Sequence, residues 1–183
     1  MEQELTQLKP CMSRRDFLLF GGKAVASTMV LLSVPGLAGA QSVPAQFAEY
    51  PRKLIAKLGE IEQDAPIYFK YPFEDDALFS ASMLVKLGVP AGGGVGPDKD
   101  IVAFSTLCTH MGGPMQGTYK EEYKALGPCP FHLTSFDLTR HGIVIAGHAT
   151  ESLPQIVLEV EGDAIYATGL IGLVYGRAQN LRA

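Results

Sequence analysis

The chain has 183 residues, of which 19% are charged, with 20 Gly and 12 Pro. This length is enough for one domain with its own hydrophobic core, and the many turn-forming residues favour a β-rich protein over a helical one. The formal net charge of −4 and the lack of a long basic run argue against a nucleic-acid-binding protein.

The first forty residues differ from the rest and are expected to be an export signal. Ser13-Arg14-Arg15-Asp16-Phe17-Leu18 is similar to the twin-arginine motif, and an apolar stretch over 24–37 and a small–x–small site at Ala38-Gly39-Ala40 follow it. An uncleaved membrane anchor is the alternative. The apolar stretch is shorter than the roughly 20 residues needed to span a bilayer, and Pro35-Gly36 interrupts it. A twin-arginine signal peptide over residues 1–40 is therefore preferred, which predicts folded export, a periplasmic location and no lasting membrane span.

Residues 41–183 would form the mature chain as one domain. They contain 11 Lys and Arg against 16 Asp and Glu, a net charge of −5 that suits a basic redox partner. Cys11 lies in the predicted signal peptide. The other two cysteines, Cys108 and Cys129, are expected to be metal ligands, so none is left for a disulfide.

Short β-prone runs follow one another along this mature chain. Residues 41–51 are predicted to be a linker or extended arm, and 52–61 fits a short helix or an edge strand equally well. A flexible Gly-rich surface loop is predicted at 88–100. Strands are predicted within 66–72, 77–87, 101–105, 117–125, 135–138, 142–146, 155–161 and 164–168. Short strands at this spacing indicate an antiparallel sandwich or barrel.

Two short segments carry a set of metal-binding side chains. Cys108-Thr109-His110 and Cys129-Pro130-Phe131-His132 each offer one sulfur and one imidazole. This set suits either a tetrahedral zinc or a [2Fe–2S] cluster in which two His replace two Cys on one iron. Structural zinc sites usually pair like ligands along the chain, as C-x2-4-C followed by H-x3-5-H. One Cys and one His in each segment therefore favours the two-iron cluster, with zinc as the alternative.

The two motifs resemble those of the Rieske [2Fe–2S] family, which commonly reads C-T-H-x-G-C and C-P-C-H-G-S-x-[FY]-D. Here the segments are C-T-H-M-G-G from Cys108 and C-P-F-H-L-T-S-F-D from Cys129. The resemblance implies an all-β Rieske-type antiparallel sandwich or barrel with a smaller inserted cluster-binding β subdomain at about 104–150. It also implies one cluster per chain, with four ligands: Cys108, His110, Cys129 and His132.

Several positions differ from the family pattern, and the resemblance implies a structural or redox consequence for each of them. Gly113 and Phe131 stand where the family usually places two bridging cysteines, so Phe131 is expected to replace the disulfide by apolar packing. Thr134 keeps a hydroxyl at the usual Ser position, but Phe136 lacks the hydroxyl of the usual Tyr. The reduction potential is therefore expected inside the Rieske range of about −150 to +300 mV but below its upper end. Pro154 is expected to cover the cluster.

Two further histidines lie outside the ligand motifs. His148 begins the segment that contains Pro154, and it fits either a docking face or a solvated position. His141 stands beside Gly142 in a predicted turn and is expected to be solvated.

The resemblance implies electron transfer as the function, and the details are most similar to the small subunit of arsenite oxidase. That group combines a twin-arginine leader with a Rieske domain that lacks the disulfide in some members. It implies a large molybdopterin-containing catalytic subunit with a [3Fe–4S] cluster. Electrons would pass from arsenite to this chain and then to a periplasmic cytochrome c or azurin. The alternatives are the Rieske subunit of a quinol-oxidising cytochrome bc complex and a zinc-binding module with no redox role.

Overall fold

The computed structural model describes residues 49–76 and 78–181. The predicted signal peptide, Cys11 and most of the expected arm over 41–51 lie outside these residues. Within the described part of the chain, no helix is both long enough and apolar enough to cross a membrane.

Regular structure in the described residues consists of short strands and one 3₁₀ turn. The strands are β1 (Lys53–Lys57), β2 (Ile67–Lys70), β3 (Ala81–Lys86), β4 (Ile101–Ser105), β5 (Tyr119–Lys120), β6 (Ala125–Leu126), β7 (Ser135–Asp137), β8 (Ile143–Ala146), β9 (Gln155–Glu161) and β10 (Ala164–Ile171). The 3₁₀ turn, Leu58–Glu60, follows β1 directly.

The strands form two antiparallel sheets. The larger sheet has the order β1-β10-β9-β4-β3-β2, and the smaller has the order β5-β6-β7-β8. The smaller sheet is inserted in sequence between β4 and β9 of the larger one. The predicted all-β antiparallel fold is therefore confirmed.

The ambiguous segment at 52–61 is an edge strand followed by the 3₁₀ turn, and not an α-helix. β1 pairs only with β10, with an irregularity between Leu54 and Ala56. The strand form is favoured because pairing with β10 places Ala56 in the core while Leu54 stays exposed.

Strands β3 and β4 are buried on both faces and separate two hydrophobic cores. Leu84 and Ala103 point into the core of the larger sheet, together with Ile156 and Ile165. The alternate residues of the same strands, among them Phe104, point into a second core that includes both predicted cysteine ligands. This double burial explains why the sequence of β4 is an uninterrupted apolar run rather than an alternating one.

The Gly-rich segment at 88–100 is hydrogen-bonded to its surroundings rather than free, so the prediction of a flexible loop is not supported. The Gly92 N–H donates to the Thr139 carbonyl at 2.8 Å, and the Gln155 side-chain amide donates to the Gly92 carbonyl at 2.7 Å. A Cβ on Gly93 would lie 2.7 Å from Gln155 Nε2, so the glycine permits this close approach.

A polar contact joins the two sheets at one side. Asp64, between the 3₁₀ turn and β2, accepts hydrogen bonds from Lys124 Nζ at 2.7 Å and from Tyr119 Oη at 2.5 Å. Burial alone would raise the pKa of the Asp64 carboxyl, but these two donors outweigh it and lower that pKa. Because Tyr119 and Lys124 belong to the β5–β6 hairpin, Asp64 fixes the smaller sheet against the larger one.

Candidate metal centre

The predicted ligands lie in two loops with the same backbone pattern, which we call ligand loop 1 (108–113) and ligand loop 2 (129–134). In loop 1 the Cys108 N–H donates to the carbonyl five residues on at 2.9 Å, and the Cys108 carbonyl accepts from the N–H four residues on at 2.8 Å. In loop 2 the corresponding distances at Cys129 are 2.8 and 2.9 Å. Two equivalent tight loops thus present one Cys and one His each.

The fourth residue after each Cys has a left-handed backbone. Gly112 has φ of 68° in loop 1, and Leu133 has φ of 60° in loop 2. For a residue with a Cβ this conformation costs roughly 1–2 kcal/mol, which the loop hydrogen bonds offset. At Gly112 a side chain is also excluded by space, because a Cβ there would lie 2.6 Å from the Tyr175 ring.

Cys108 and Cys129 are both buried, each with 1% exposure, and both are free thiols. They share a core with Met115, Leu126 and Phe136. Burial raises the pKa of the Cys108 thiol, although the backbone N–H of His110 donates to its sulfur and favours the thiolate. Since iron binds the thiolate, metal binding here would be coupled to release of the thiol protons.

The two predicted histidine ligands lie closer to the surface and face each other. His110 is half-buried and His132 is exposed, and their ring centroids are 4.6 Å apart in an edge-to-face arrangement. His110 Nδ1 is buried without a hydrogen-bond partner, which is unusual for a polar atom and fits a metal ligand. Burial, and then the neighbouring His132 and His148, lower the pKa of His110, which favours the neutral form that metals bind.

The ligands pair by type in space although they are mixed along the chain. The two sulfurs lie in the core, close enough for the Cys129 side chain to influence the Cys108 thiol, and the two imidazoles lie toward solvent. This donor arrangement fits a two-iron cluster with one sulfur-bound and one nitrogen-bound iron better than it fits a tetrahedral zinc.

Gly113 and Phe131, the positions of the missing bridging cysteines, face each other. A Cβ on Gly113 would lie 2.5 Å from Cys129 Sγ and 3.2 Å from the Phe131 ring. The Phe131 ring therefore packs directly on Gly113 and joins ligand loop 2 to ligand loop 1, although the ring remains 55% exposed. This is the apolar contact expected in place of the disulfide.

Thr134 and Phe136 line the buried side of the centre. The Thr134 hydroxyl favours the Cys108 thiolate and accepts a hydrogen bond from the His148 N–H at 3.1 Å. Phe136 is fully buried and pairs across the smaller sheet with Leu126 and Val144. Its ring fills the core beside the cysteines but offers no hydrogen bond.

The segment after β8 forms a third wall of the centre. Pro154 is buried, and its carbonyl accepts a hydrogen bond from the Ser105 N–H at 2.9 Å. Leu153 belongs to the core that contains the cysteines, and Ala149 packs against that core. That Pro154 covers the cluster stays a prediction, because the contacts with the cysteine core are made by Leu153 and Ala149.

His148 lies at the centre, whereas His141 lies elsewhere. The His148 ring centroid is 5.6 Å from that of His110 and 6.4 Å from that of His132, so three imidazoles cluster at this end of the molecule. His141 is exposed, as expected, but its Nδ1 pairs with Gln155 Oε1 at 2.8 Å, a contact that fixes the β7–β8 turn.

Tyr175 is a neighbour of the centre that the sequence motifs did not indicate. Its ring packs on Gly112, more than sixty residues away along the chain. The sequence feature that could have indicated this contact is the apolar segment that begins with the last residue of β10, Ile171-Gly172-Leu173-Val174-Tyr175.

Comparison with known proteins agrees with this geometry. The profile of the Rieske [2Fe-2S] domain matches residues 55–157, more than half of the chain. The chain belongs to the Rieske [2Fe–2S] family. The expected fold class and the Rieske-type [2Fe–2S] cofactor are thereby confirmed, and the chain is an iron–sulfur electron-transfer protein.

Two relatives match almost the whole chain. The iodate reductase subunit IdrB of Pseudomonas sp. (strain SCT) is 60% identical over 92% of this chain and 84% of its own length. The same subunit of Denitromonas iodatirespirans is 58% identical over 94% of this chain and 88% of its own length. Both are named for iodate reductase, so they do not support the arsenite substrate implied by the motifs.

One solved structure supports the fold. The soluble domain of Rieske protein II (soxF) from Sulfolobus acidocaldarius superposes with a TM-score of 0.61, at 23% identity, over 70% of this chain and 82% of that one. At this identity the likeness concerns the Rieske fold only.

Proposed function

We propose that this chain is the electron-transfer subunit of a molybdenum-containing oxidoreductase of the iodate reductase type. The observation that carries the proposal is the 60% identity to an iodate reductase subunit over 92% of the chain. A match of this length is consistent with the same kind of molybdenum-containing partner.

Within the chain, we assign Cys108 and Cys129 to one iron and His110 and His132 to the other. The cluster supplies one-electron oxidation and reduction when it is bound. The core around the two cysteines excludes water from the sulfur side. The exposed imidazole edges give electrons a short route to a partner, because His132 and His148 lie at the surface.

In this proposal electrons enter from a periplasmic carrier such as a cytochrome c or azurin and leave toward the molybdenum subunit. Reduction of iodate needs more than one electron, so the one-electron cluster would be reduced and reoxidised more than once for each iodate. A [3Fe–4S] cluster in the large subunit would connect this chain to the molybdenum centre.

Arsenite oxidation is the second candidate, because the C-T-H-M-G-G-P-M and C-P-F-H-L-T-S-F-D segments resemble those of the arsenite oxidase small subunit. The electron flow would then be reversed, from the molybdenum subunit to the periplasmic carrier. Since a one-electron carrier works in either direction, its potential relative to its partners decides between the two.

The test is an assay of the intact complex, isolated through an affinity tag on the full-length chain. We expect iron and acid-labile sulfide, molybdenum in the partner, and oxidation of reduced methyl viologen that depends on iodate. Arsenite-dependent reduction of dichlorophenolindophenol without iodate activity would favour the second candidate. A colourless protein that contains zinc would contradict both, and a cytochrome b in place of molybdenum would indicate a cytochrome bc complex.

We also propose that residues 1–40 direct export of the folded protein by the twin-arginine route, so that the complex works in the periplasm. The support is the Ser13–Leu18 motif followed by an apolar stretch and a small–x–small site. Insertion of the cluster before export is consistent with this route, because it carries folded proteins.

A further inference from the structure

Uncharged sequence is concentrated in the segments that build and surround the metal centre. No Asp, Glu, Lys or Arg occurs in 101–119, 125–136, 141–150 or 164–176. These segments include both ligand loops, the strand and turn that lead to His148, and the whole of β10 with the residues after it. In a chain that is 19% charged, the segments around the metal centre thus carry no charged residue, and Glu151 follows the third of them directly.

Large apolar side chains are exposed in the same segments. In ligand loops 1 and 2, Met111, Phe131 and Leu133 are 51%, 55% and 67% exposed. From the last residue of β10 onward the exposed residues alternate, with Ile171, Leu173 and Tyr175 at 61%, 50% and 38%. We call the surface formed by these six residues the charge-free face.

The two parts of the charge-free face are joined by direct contacts. The Tyr175 ring packs on Gly112 of ligand loop 1, and Gly172 lies against Pro154, as a Cβ on Gly172 would be 3.5 Å from Pro154 Cα. A groove of about 680 Å³ runs between Leu153 and Leu173 and is bordered by the exposed Glu151 at its rim. The apolar surface therefore extends from the histidines along the segment after β10.

The acidic groups of the β9–β10 hairpin lie at its other end. Gln155 pairs with Ile171 beside the centre, whereas Glu161 pairs with Ala164 at the turn, roughly 20 Å away at about 3.3 Å per strand residue. Glu159, Glu161 and Asp163 thus stand apart from the charge-free face. Glu159 and Glu161 pair with Arg52 at that end, whereas Glu151 borders the groove beside the charge-free face.

We propose that the charge-free face, including Ile171, Leu173 and Tyr175, is the permanent interface with the molybdenum-containing subunit. This rests on the proposed function above. Apolar surface without charge is typical of the centre of stable subunit interfaces, whereas transient electron-transfer contacts are small and depend on charged groups. Exposed apolar residues in a contiguous patch are also unfavourable unless a partner covers them.

The experiment uses the full-length chain with a C-terminal affinity tag, produced in its own host on medium containing molybdate. The probe is the molybdenum that stays with the tagged chain, measured by elemental analysis relative to cluster iron. Leu173→Asp and Ile171→Asp each place a charge on the charge-free face. Leu54→Asp is the matched control, because Leu54 on β1 is similarly exposed, at 52%. Leu54 pairs with Tyr166 of β10, near the β9–β10 turn, and therefore lies outside the charge-free face.

We expect Leu173→Asp and Ile171→Asp to reduce the recovered molybdenum by about tenfold or more, since a buried charge at an interface centre is costly. Leu54→Asp should leave it unchanged, and the visible spectrum of the cluster should be the same in all three variants. The wild-type complex should also survive a wash with about 1 M NaCl, where charge interactions are screened within about 3 Å.

Three results would overturn the proposal. Full retention of molybdenum by both Asp variants would place the interface elsewhere while the proposed function stands. A dimer of the wild-type chain alone that Leu173→Asp converts to a monomer would assign the face to a second copy. If the wild-type chain itself recovers no molybdenum, the proposed function fails together with the interface.

Discussion

At the scale of single residues, the Thr134 hydroxyl connects the metal centre to its surroundings. It favours the Cys108 thiolate and accepts a hydrogen bond from the His148 N–H, so one buried oxygen influences a predicted ligand and positions a third imidazole. Hydrogen bonds to the sulfurs stabilise the more negative, reduced state of an iron–sulfur cluster and raise its potential.

Thr134→Val should therefore lower the reduction potential, because Val has a similar shape but no hydroxyl. The variant should also lose about 1–3 kcal/mol of unfolding free energy, since the His148 N–H loses its acceptor. A redox titration followed by circular dichroism and a urea unfolding curve measure the two effects. Thr134→Ser is the control and should keep the wild-type potential.

Phe136→Tyr should have the opposite effect on the potential. The side chain lies fully buried in the core that holds both cysteines, so a hydroxyl there can act as an additional donor to the cluster sulfurs. We expect a higher potential in the same titration. An unchanged or lower potential would mean that the ring edge points away from the sulfurs.

Phe131→Ala should shorten the lifetime of the cluster on heating. The ring packs on Gly113 and joins the two ligand loops, and its half-buried surface contributes about 1 kcal/mol. Loss of visible absorbance at constant elevated temperature measures the lifetime. Tyr123→Ala removes an aromatic ring that is 67% exposed and lies outside the ligand loops, and it should have no effect.

At the scale of elements, the contact of Asp64 with the β5–β6 hairpin fixes the smaller sheet. Asp64 and Lys124 have side-chain exposures of only 14% and 20%, so their attraction is less screened than that of a surface pair. The ion pair of Arg52 with Glu161 is much more exposed, with side-chain exposures of 45% and 73%, and contributes less.

This contact predicts a dependence of stability on acid pH. The pKa of Asp64 is lower in the folded state than in the unfolded chain, so its stabilisation is complete above the unfolded value of about 3.9. It is lost as the pH falls from there through the folded pKa. Lys124→Met should lower the unfolding free energy at pH 7 by about 1–3 kcal/mol.

Urea unfolding curves between pH 7 and pH 3 check this prediction. Asp64→Asn should be less stable than wild type at pH 7, and the difference should shrink as the pH falls. Arg52→Met provides the control for an exposed pair and should change the free energy of unfolding by less than about 1 kcal/mol.

At the scale of the whole molecule, the sequence predicted the features that depend on local pattern. The strands, their antiparallel class and the two ligand motifs are encoded in alternating apolar residues and in short spacings such as Cys108 to His110. Alternation also identified the hairpin of β9 and β10. The substrate could not be predicted in this way, because the Rieske motifs describe the cluster and not the partner enzyme.

The features that the sequence did not predict depend on contacts between distant residues. Asp64 contacts Lys124, which follows it by sixty residues in the sequence. Tyr175 contacts Gly112, although β9 and β10 lie between them in the sequence. The Gly-rich segment has the composition of a free loop, but its glycines allow the Thr139 and Gln155 contacts that hold it. Local propensity carries no information on such partners.

The predicted leader can be tested on the whole molecule. Replacing Arg14 and Arg15 together by Lys should keep the protein in the cytoplasm, because the export machinery recognises the arginine pair. Cell fractionation followed by immunoblotting measures the distribution. Wild-type-like export of this variant would contradict the twin-arginine interpretation.

The burial of β4 on both faces has a consequence for how fast the centre can work. Ligand loop 1 begins three residues after the end of a strand that is packed from two sides, so its Cys is attached to the stiffest part of the fold. Surroundings held in this way would keep the cluster ligands in nearly the same positions in both oxidation states. Each electron transfer would then require little change in the atomic positions around the cluster. The packing of β4 would thus favour rapid and repeated electron transfer.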